Sequence, residues 1–459
     1  MERDLSMKRR QFLGTAMAAV GSSAVSCVAH FQTKTTETHC ACPLIPDQLG
    51  GMSLEALRDD YRRRLFDQYL PFWEKGGCDQ KHGGFLCELN DDGSVATDEK
   101  SIWYLARGLW VYSFLYNHFG KRSHWLDIAT HARDFMVRHM YAGNGRWIEK
   151  VHRDGTIAED VAKYVYGALF VAGGLAQYHI ATGQSKDWQL AEETLAASLK
   201  TYDSPDHDDC YGRQYASITV PKLGLRTQGH SMVLVWALSQ WLSVRDDPWI
   251  AELQQQHVDL IMKRFWNPDL GIANEFLNHD YSRIPGAESH MFAGHSLETL
   301  WIVLQESLRR KDWTLFSAVA LRIRHLLEMC WDYVFDGWAG GDFFVFATSE
   351  HHQGPDYNVK TMWAQCEMMI ACLTVLEYAG EPWAKEWYDR ARAFALKTMS
   401  VAAHGVWRQA VDRRGNDAKR ANISTKRKDN FHQVRMLMLN LLSLERMIAN
   451  KRKLTPFPS

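Results

Sequence analysis

The chain has 459 residues, 53 of them Lys or Arg against 54 Asp or Glu, and a formal net charge of −1. That balance offers no broad basic field, so no nucleic-acid partner is expected. Its 18 Trp and 17 Tyr suit both a large core and stacking against sugar rings.

At the start, Ser6-Met-Lys-Arg9-Arg10-Gln11-Phe12-Leu13 resembles a twin-arginine export signal. The Ala-, Gly- and Ser-rich stretch from Leu13 to Val28 is too short and too weakly apolar to span a membrane comfortably. Residues 1–28 are therefore expected to be an export signal that places the protein in the periplasm, free or anchored facing it. Ala24-Val25-Ser26-Cys27 is similar to a lipoprotein box, with Ala in place of Leu three before the cysteine. Lipidation of Cys27 would supply a membrane tether. Residues 29–52 read as a polar linker. Cys40 and Cys42 within it lack the second pair that a zinc site needs, so no metal is expected.

From Leu54 the chain repeats. Loop regions open near Gly77, Tyr141, Tyr202, Trp266, Tyr333 and Ser400, about every 60–70 residues, a period that signals repeat architecture. Several carry hairpin-like runs: GGFLCELNDDG from Gly83, GRWIEKVHRDG from Gly145, GIANEFLNHD from Gly271 and GVWRQAVDRRG from Gly405. A helix apolar nearly all round follows each loop, and such a helix must be buried. These helices are expected near Ile102–His118, Ala162–Thr182, Gln228–Ser243, Ser289–Leu308, Val359–Tyr378 and Asn430–Ile448. Amphipathic helices follow near Ser123, Ser185, Asp247, Lys311 and Pro382, and Leu54 to Trp73 supplies a sixth. Twelve helices in alternating inner and outer positions describe an all-α fold, an (α/α)6 barrel over residues 53–450, with β-hairpins in the loops at one mouth. Residues 451–459 remain as a C-terminal tail. An open helical superhelix is the competing architecture; strands at βαβ spacing are missing from the pattern.

Polar residues gather where the inner helices begin. The first carries Trp103 and Arg107, the second Lys163 and Tyr164, and the third Gln228 and His230. The fourth carries His295, Glu298 and Trp301 at three-residue spacing, which puts them on one helix face. The fifth carries Lys360, Trp363, Gln365 and Glu367, and the sixth Lys428, His432 and Arg435. Singly, each has a bland reading: Arg107 as a buried salt bridge, Trp363 as core, Lys428 as a solvated helix start. Six sets at the same end of six buried helices are hard to explain by packing and point to one axial pocket.

On GGFLCELNDDG, Lys100…Trp103…Arg107, the GHSLE run from Gly294, KTMWAQCE from Lys360 and NFHQVR from Asn430, the chain is similar to the N-acylglucosamine 2-epimerase family. That family includes cellobiose 2-epimerases and related aldose–ketose isomerases. The resemblance implies a cofactor-free barrel enzyme acting on a mono- or disaccharide. It implies that His295 and His432 are the acid/base pair, that Glu298 is the carboxylate beside the first, and that Arg107 contacts substrate. His230 would match a third pocket histidine, although Gln-Gly-His departs from the Asn-x-His of some branches.

The chemistry agrees. Inverting a sugar carbon beside a carbonyl needs an open ring, a proton removed from one face and a proton returned to the other. Two histidines suffice, because their pKa lies near working pH. Trp103, Trp301 and Trp363 are candidates to stack on the sugar, and Glu367 and Lys428 to bind it. One alternative is a glycoside hydrolase or lyase using Glu298 and Glu367. Another is a non-catalytic carbohydrate-binding protein. The sequence leaves open which sugar is used, epimerisation versus isomerisation, and whether the chain forms a homodimer.

Overall fold

A computed structural model describes residues 45–162, 164–209, 213, 219–339, 342–344, 359–417 and 426–457. The expected export signal, Cys27, the Cys40–Cys42 pair and Lys163 lie outside these residues.

Twelve long helices form two concentric rings among the described residues. The inner ring is α2 (Ile102–His118), α4 (Tyr166–Thr182), α6 (Gln228–Leu242), α8 (Ala293–Arg310), α10 (Met362–Ala379) and α12 (His432–Ala449). The outer ring is α1 (Leu54–Arg63), α3 (Ser123–His139), α5 (Ser185–Tyr202), α7 (Pro248–Asp259), α9 (Trp313–Cys330) and α11 (Pro382–Thr398). Helix α1 runs on through π-type turns at Arg64–Tyr69 and Trp73–Gly77, and α7 through one at Leu260–Phe265. Successive inner helices pack on one another, and each inner helix packs on an outer one. The last, α12, packs on both α1 and α2, so the ring closes and the open superhelix is excluded.

Residue type explains the two rings. In α4 the buried set, from Tyr166 through Phe170 and Val171 to Tyr178, goes right round the helix. Its Gly173 and Gly174 admit close neighbours: a Cβ on Gly174 would lie 2.8 Å from the Ala106 carbonyl oxygen, and one on Gly173 2.3 Å from the Trp236 ring. In α5 only one stripe, including Trp188, Ala191 and Leu195, is buried. Asp247 and Asp312 cap the starts of α7 and α9 by accepting backbone N–H bonds. Gly183 and Gly380 end α4 and α10 in the left-handed conformation that glycine adopts freely.

Short strands set the inner helix starts at the mouth. The strand Glu99–Ser101 runs into α2, Arg226–Thr227 into α6, His290–Phe292 into α8 and Val359–Thr361 into α10. Each pairs antiparallel with a strand of a neighbouring loop: Arg146–His152, Phe276–Leu277, Asp342–Phe344 and Ala410–Asp412 respectively. Those pairings explain why α8 and α10 start three or four residues later than the apolar pattern predicts. A buried ion pair pins the loop in two of the repeats. Lys100 Nζ lies 2.8 Å from Asp79 and donates to the Gly83 and Arg153 carbonyls. Lys360 Nζ lies 3.1 Å from Asp332 and donates to the Asp336 and Arg413 carbonyls.

The barrel reaches beyond the boundaries expected at residues 53 and 450. Ile45 and Leu49 are buried, and the Ile45 N–H donates to the Arg452 carbonyl at 2.8 Å. Phe457 meets the Trp313 ring at 5.1 Å. Residues 45–52 and 451–457 thus bury apolar side chains against the helices instead of serving as linker and tail.

Candidate active site

His295 is the third residue of α8, which directly follows the strand His290–Phe292. Gly294 shapes its surroundings: a Cβ there would lie 2.1 Å from the Trp363 ring. Without that Cβ, Trp363 lies over the helix start, 5.6 Å from the His295 ring and 5.5 Å from the His432 ring between centroids. The two candidate acid/base histidines therefore border one indole.

Each imidazole is held by a carboxylate, but His295 is not held by the one expected. Its Nδ1 lies 2.9 Å from Glu275 Oε1, just before the strand Phe276–Leu277. Glu298, three residues along α8, turns instead to Arg435 on α12. A guanidinium offers a full charge and several donors, and it outcompetes a neighbouring imidazole for that carboxylate. Burial pushes the His295 pKa down, yet the adjacent Glu275 carboxylate and the nearby Glu298 outweigh it, and the net shift is upward.

His432 opens α12. Asp429 Oδ1 accepts the Phe431 N–H at 2.9 Å and also the His432 N–H, which fixes this turn. His432 Nδ1 lies 2.7 Å from Glu367 Oε1. Glu367 accepts in addition from Trp301 Nε1 at 2.7 Å and pairs with Arg435 at 2.8 Å. With that acceptor at Nδ1, the lone pair of a neutral His432 sits on Nε2. Burial pushes the His432 pKa down to about 3; the guanidiniums of Arg107 and Arg435 act the same way, against Asp429 and Glu298. One imidazole is thus biased toward its charged form and the other toward its neutral form, a division suited to acid and base roles.

Arg107 faces them from α2. It is 4% exposed, with its guanidinium over Trp103, Phe170 and Phe431 at 4.3, 4.4 and 4.7 Å. Its Nε is buried, and no hydrogen bond or ion pair holds the side chain among the described residues. A buried cation that no carboxylate bonds is costly even with the Asp429 charge nearby, which suits a group awaiting an oxygen-rich or anionic ligand. His230 is fully buried beside Tyr166 and Tyr202, its Nδ1 3.8 Å from Asp209. Burial lowers its pKa despite Asp209, and among the described residues both ring nitrogens lack hydrogen-bond partners.

Three expected sugar contacts find other employment. Trp301 is buried beneath Glu367, with the Arg435 guanidinium over its ring at 4.9 Å, so it orients Glu367 instead of stacking on a ligand. Lys428 pairs with Asp91 at 2.7 Å, and its N–H donates to the Cys87 carbonyl, which ties the GGFLCELNDDG loop to the start of α12. Glu367 is enclosed by His432, Trp301 and Arg435 and acts on the imidazole. Trp103 and Trp363 are only partly buried and remain in stacking positions.

Glu298, Glu367 and His432 also bring potential metal-ligand atoms within 4.8 Å of one another. Arg435, paired to both carboxylates, already supplies positive charge there. The same arrangement occupies the two carboxylates that a hydrolytic mechanism would require.

Glu275, Tyr166 and Asp429 are not among the residues expected from the sequence, and Arg435 stood there without a role. A signal for Glu275 existed: a lone carboxylate between Ile272-Ala273 and Phe276-Leu277 in a run of otherwise buried residues. Tyr166 gave none, since an aromatic in an apolar helix reads as core. In the fold its hydroxyl and His295 Cε1 approach Gly229, 3.3 and 3.5 Å from where a Cβ would lie.

Comparison with known proteins places this arrangement. The family model for N-acylglucosamine 2-epimerase (GlcNAc 2-epimerase) matches residues 83–435. The N-acylglucosamine 2-epimerase of Mus musculus is 25% identical over 369 residues, covering 77% of this chain and 84% of its own. The cellobiose 2-epimerase of Bacteroides fragilis is 20% identical over 365 residues, covering 77% and 90%. The solved structure of cellobiose 2-epimerase from Bacillus thermoamylovorans superposes with a TM-score of 0.71 at 17% identity, over 84% of this chain and 99% of that one. With its family model matched from the first mouth loop to the turn bearing His432 and Arg435, this chain belongs to the N-acylglucosamine 2-epimerase family.

Proposed function

We propose that this protein is a sugar 2-epimerase that inverts C2 of a reducing sugar by proton transfer between His432 and His295 through an enediolate. Its relatives suggest an N-acylated glucosamine or a β-linked glucose disaccharide as substrate. The observation that carries the reading is the pair of oppositely biased imidazoles bordering Trp363. In the open-chain sugar, His432 Nε2 takes the C2 proton and the electron pair moves toward the carbonyl oxygen. Arg107 faces the negative charge that develops there, and one well-placed donor is typically worth ~3–4 kcal/mol. His295 returns a proton to the opposite face of C2, and in reverse the two exchange roles. Aldose–ketose isomerisation would share the enediolate and differ in the carbon that receives the proton.

The test is a panel of reducing sugars incubated with the enzyme in heavy water and followed by proton NMR. The expected outcome is a C2 epimer with deuterium at C2. Cleavage of a glycosidic bond without exchange would replace this reading with the hydrolytic one.

We further propose that the protein acts in the periplasm or tethered to the membrane facing it, a reading supported by Arg9-Arg10 and by Cys27 in its box. Replacing Arg9 and Arg10 by Lys should retain the protein in the cytoplasm, and Cys27→Ala should release it from the membrane fraction. Unaltered fractionation of both variants would sink the proposal.

A further inference from the structure

We propose that Glu275 is a positioning residue that fixes the His295 imidazole and keeps it charged between turnovers. This rests on the two-histidine reading.

The backbone around Glu275 is clamped. Its carbonyl accepts the Gln228 N–H at 2.8 Å, at the first residue of α6. The next two residues, Phe276 and Leu277, pair with Thr227 and Arg226. The side chain, 3% exposed, then crosses from α6 to the start of α8 and meets His295 Nδ1 at 2.9 Å. Glu275 thus couples two neighbouring inner helices through one carboxylate whose position follows from strand pairing.

That contact fixes the tautomer. With Nδ1–H donating to Glu275, Nε2 is left for the pocket. It also makes the two charges depend on each other. Burial raises the Glu275 pKa, Asp209 adds to this, and the His295 charge and the Gly229 N–H oppose it. A charged His295 therefore makes an ionised Glu275 tolerable, and the reverse. The groups facing His295 from the packed elements are Arg107 on α2, Tyr166 on α4, His230 on α6 and Trp363 on α10, with Glu298 on its own helix. Of these Glu298 alone is anionic, and it is bonded to Arg435. Glu275 is therefore the carboxylate in contact with the ring.

The experiment uses the full chain with Glu275→Gln and Glu275→Asp. If His295 must be charged to act as the acid, turnover falls as pH rises through its pKa. Loss of an adjacent opposite charge should move that limb of the kcat profile down by about one pH unit in Glu275→Gln. Glu275→Asp keeps the charge at a longer reach and should recover part of the shift. A Glu275→Gln enzyme with lower kcat but an unmoved limb would overturn the proposal, since a purely structural role predicts that. Imidazole 13C NMR of the ligand-free wild type, assigned with His295→Asn, decides the matter even if Glu275→Gln does not fold. His295 should titrate above 6.5, and a value at or below it overturns the proposal. Failure of the wild type to exchange C2 protons would instead remove the catalytic reading and leave this titration valid.

Discussion

At the scale of single residues, the proposed site holds groups whose surroundings are unfavourable without a ligand. Arg107 is the clearest, a buried guanidinium with aromatic rings around it and no carboxylate bonded to it among the described residues. Arg107→Met should therefore keep or raise the melting temperature while kcat falls by roughly 10²–10³-fold. A loss of stability as large as that of a core cavity would show that Arg107 is structural. The histidines behave differently, because each is already satisfied at Nδ1. His295→Asn and His432→Asn should each reduce turnover by roughly 10²–10⁴-fold with the fold intact. They should differ in isotope exchange, since each leaves one face of C2 with its proton carrier. Near-normal epimerisation by either variant would end the two-base mechanism.

At the scale of elements, the strand-to-helix junction is the unit that places chemistry. Each of the strands Glu99–Ser101, Arg226–Thr227, His290–Phe292 and Val359–Thr361 ends where an inner helix begins, so first-turn side chains emerge at the mouth. Gly294 shows how tightly this is built. Alanine is normally the better helix residue by about 1 kcal/mol. Yet at this position a methyl group would lie 2.1 Å from the Trp363 ring. Gly294→Ala should displace Trp363 from both imidazoles and lower kcat at least tenfold, with helix content by circular dichroism unchanged. Full activity in that variant would mean that Trp363 does not shape the pocket.

At the scale of the whole molecule, closure of the ring is what brings His432 to His295. The fourth and sixth inner helices face one pocket because α12 packs back on α1 and α2. An open repeat array survives loss of a terminal repeat, since its contacts are only with neighbours. This ring should not. Truncation after residue 427 removes α12 and strips the inner faces of α1, α2 and α10. The product should be insoluble or molten by near-ultraviolet circular dichroism. A well-folded truncated domain would show that closure contributes little to stability.

Periodicity by itself determined that buried and surface helices alternate, because apolar-all-round and one-striped helices recur at a regular spacing; closure of the ring was decided by the packing of α12 on α1 and α2. Residue type at the inner helix starts also singled out Arg107, His295, Trp363 and His432 as candidates, and the fold sets both imidazoles beside Trp363. Pairing was beyond residue type. Glu298 stands three residues from His295 in sequence, but Arg435 arrives from 137 residues away and takes it. Glu275, 20 residues before His295, is delivered by strand pairing that no helical period encodes. Lys428 and Trp301 read as ligand contacts until the fold brought Asp91 and Glu367 to them. Which charge meets which depends on distances set by the closed ring, and tertiary structure alone decided it.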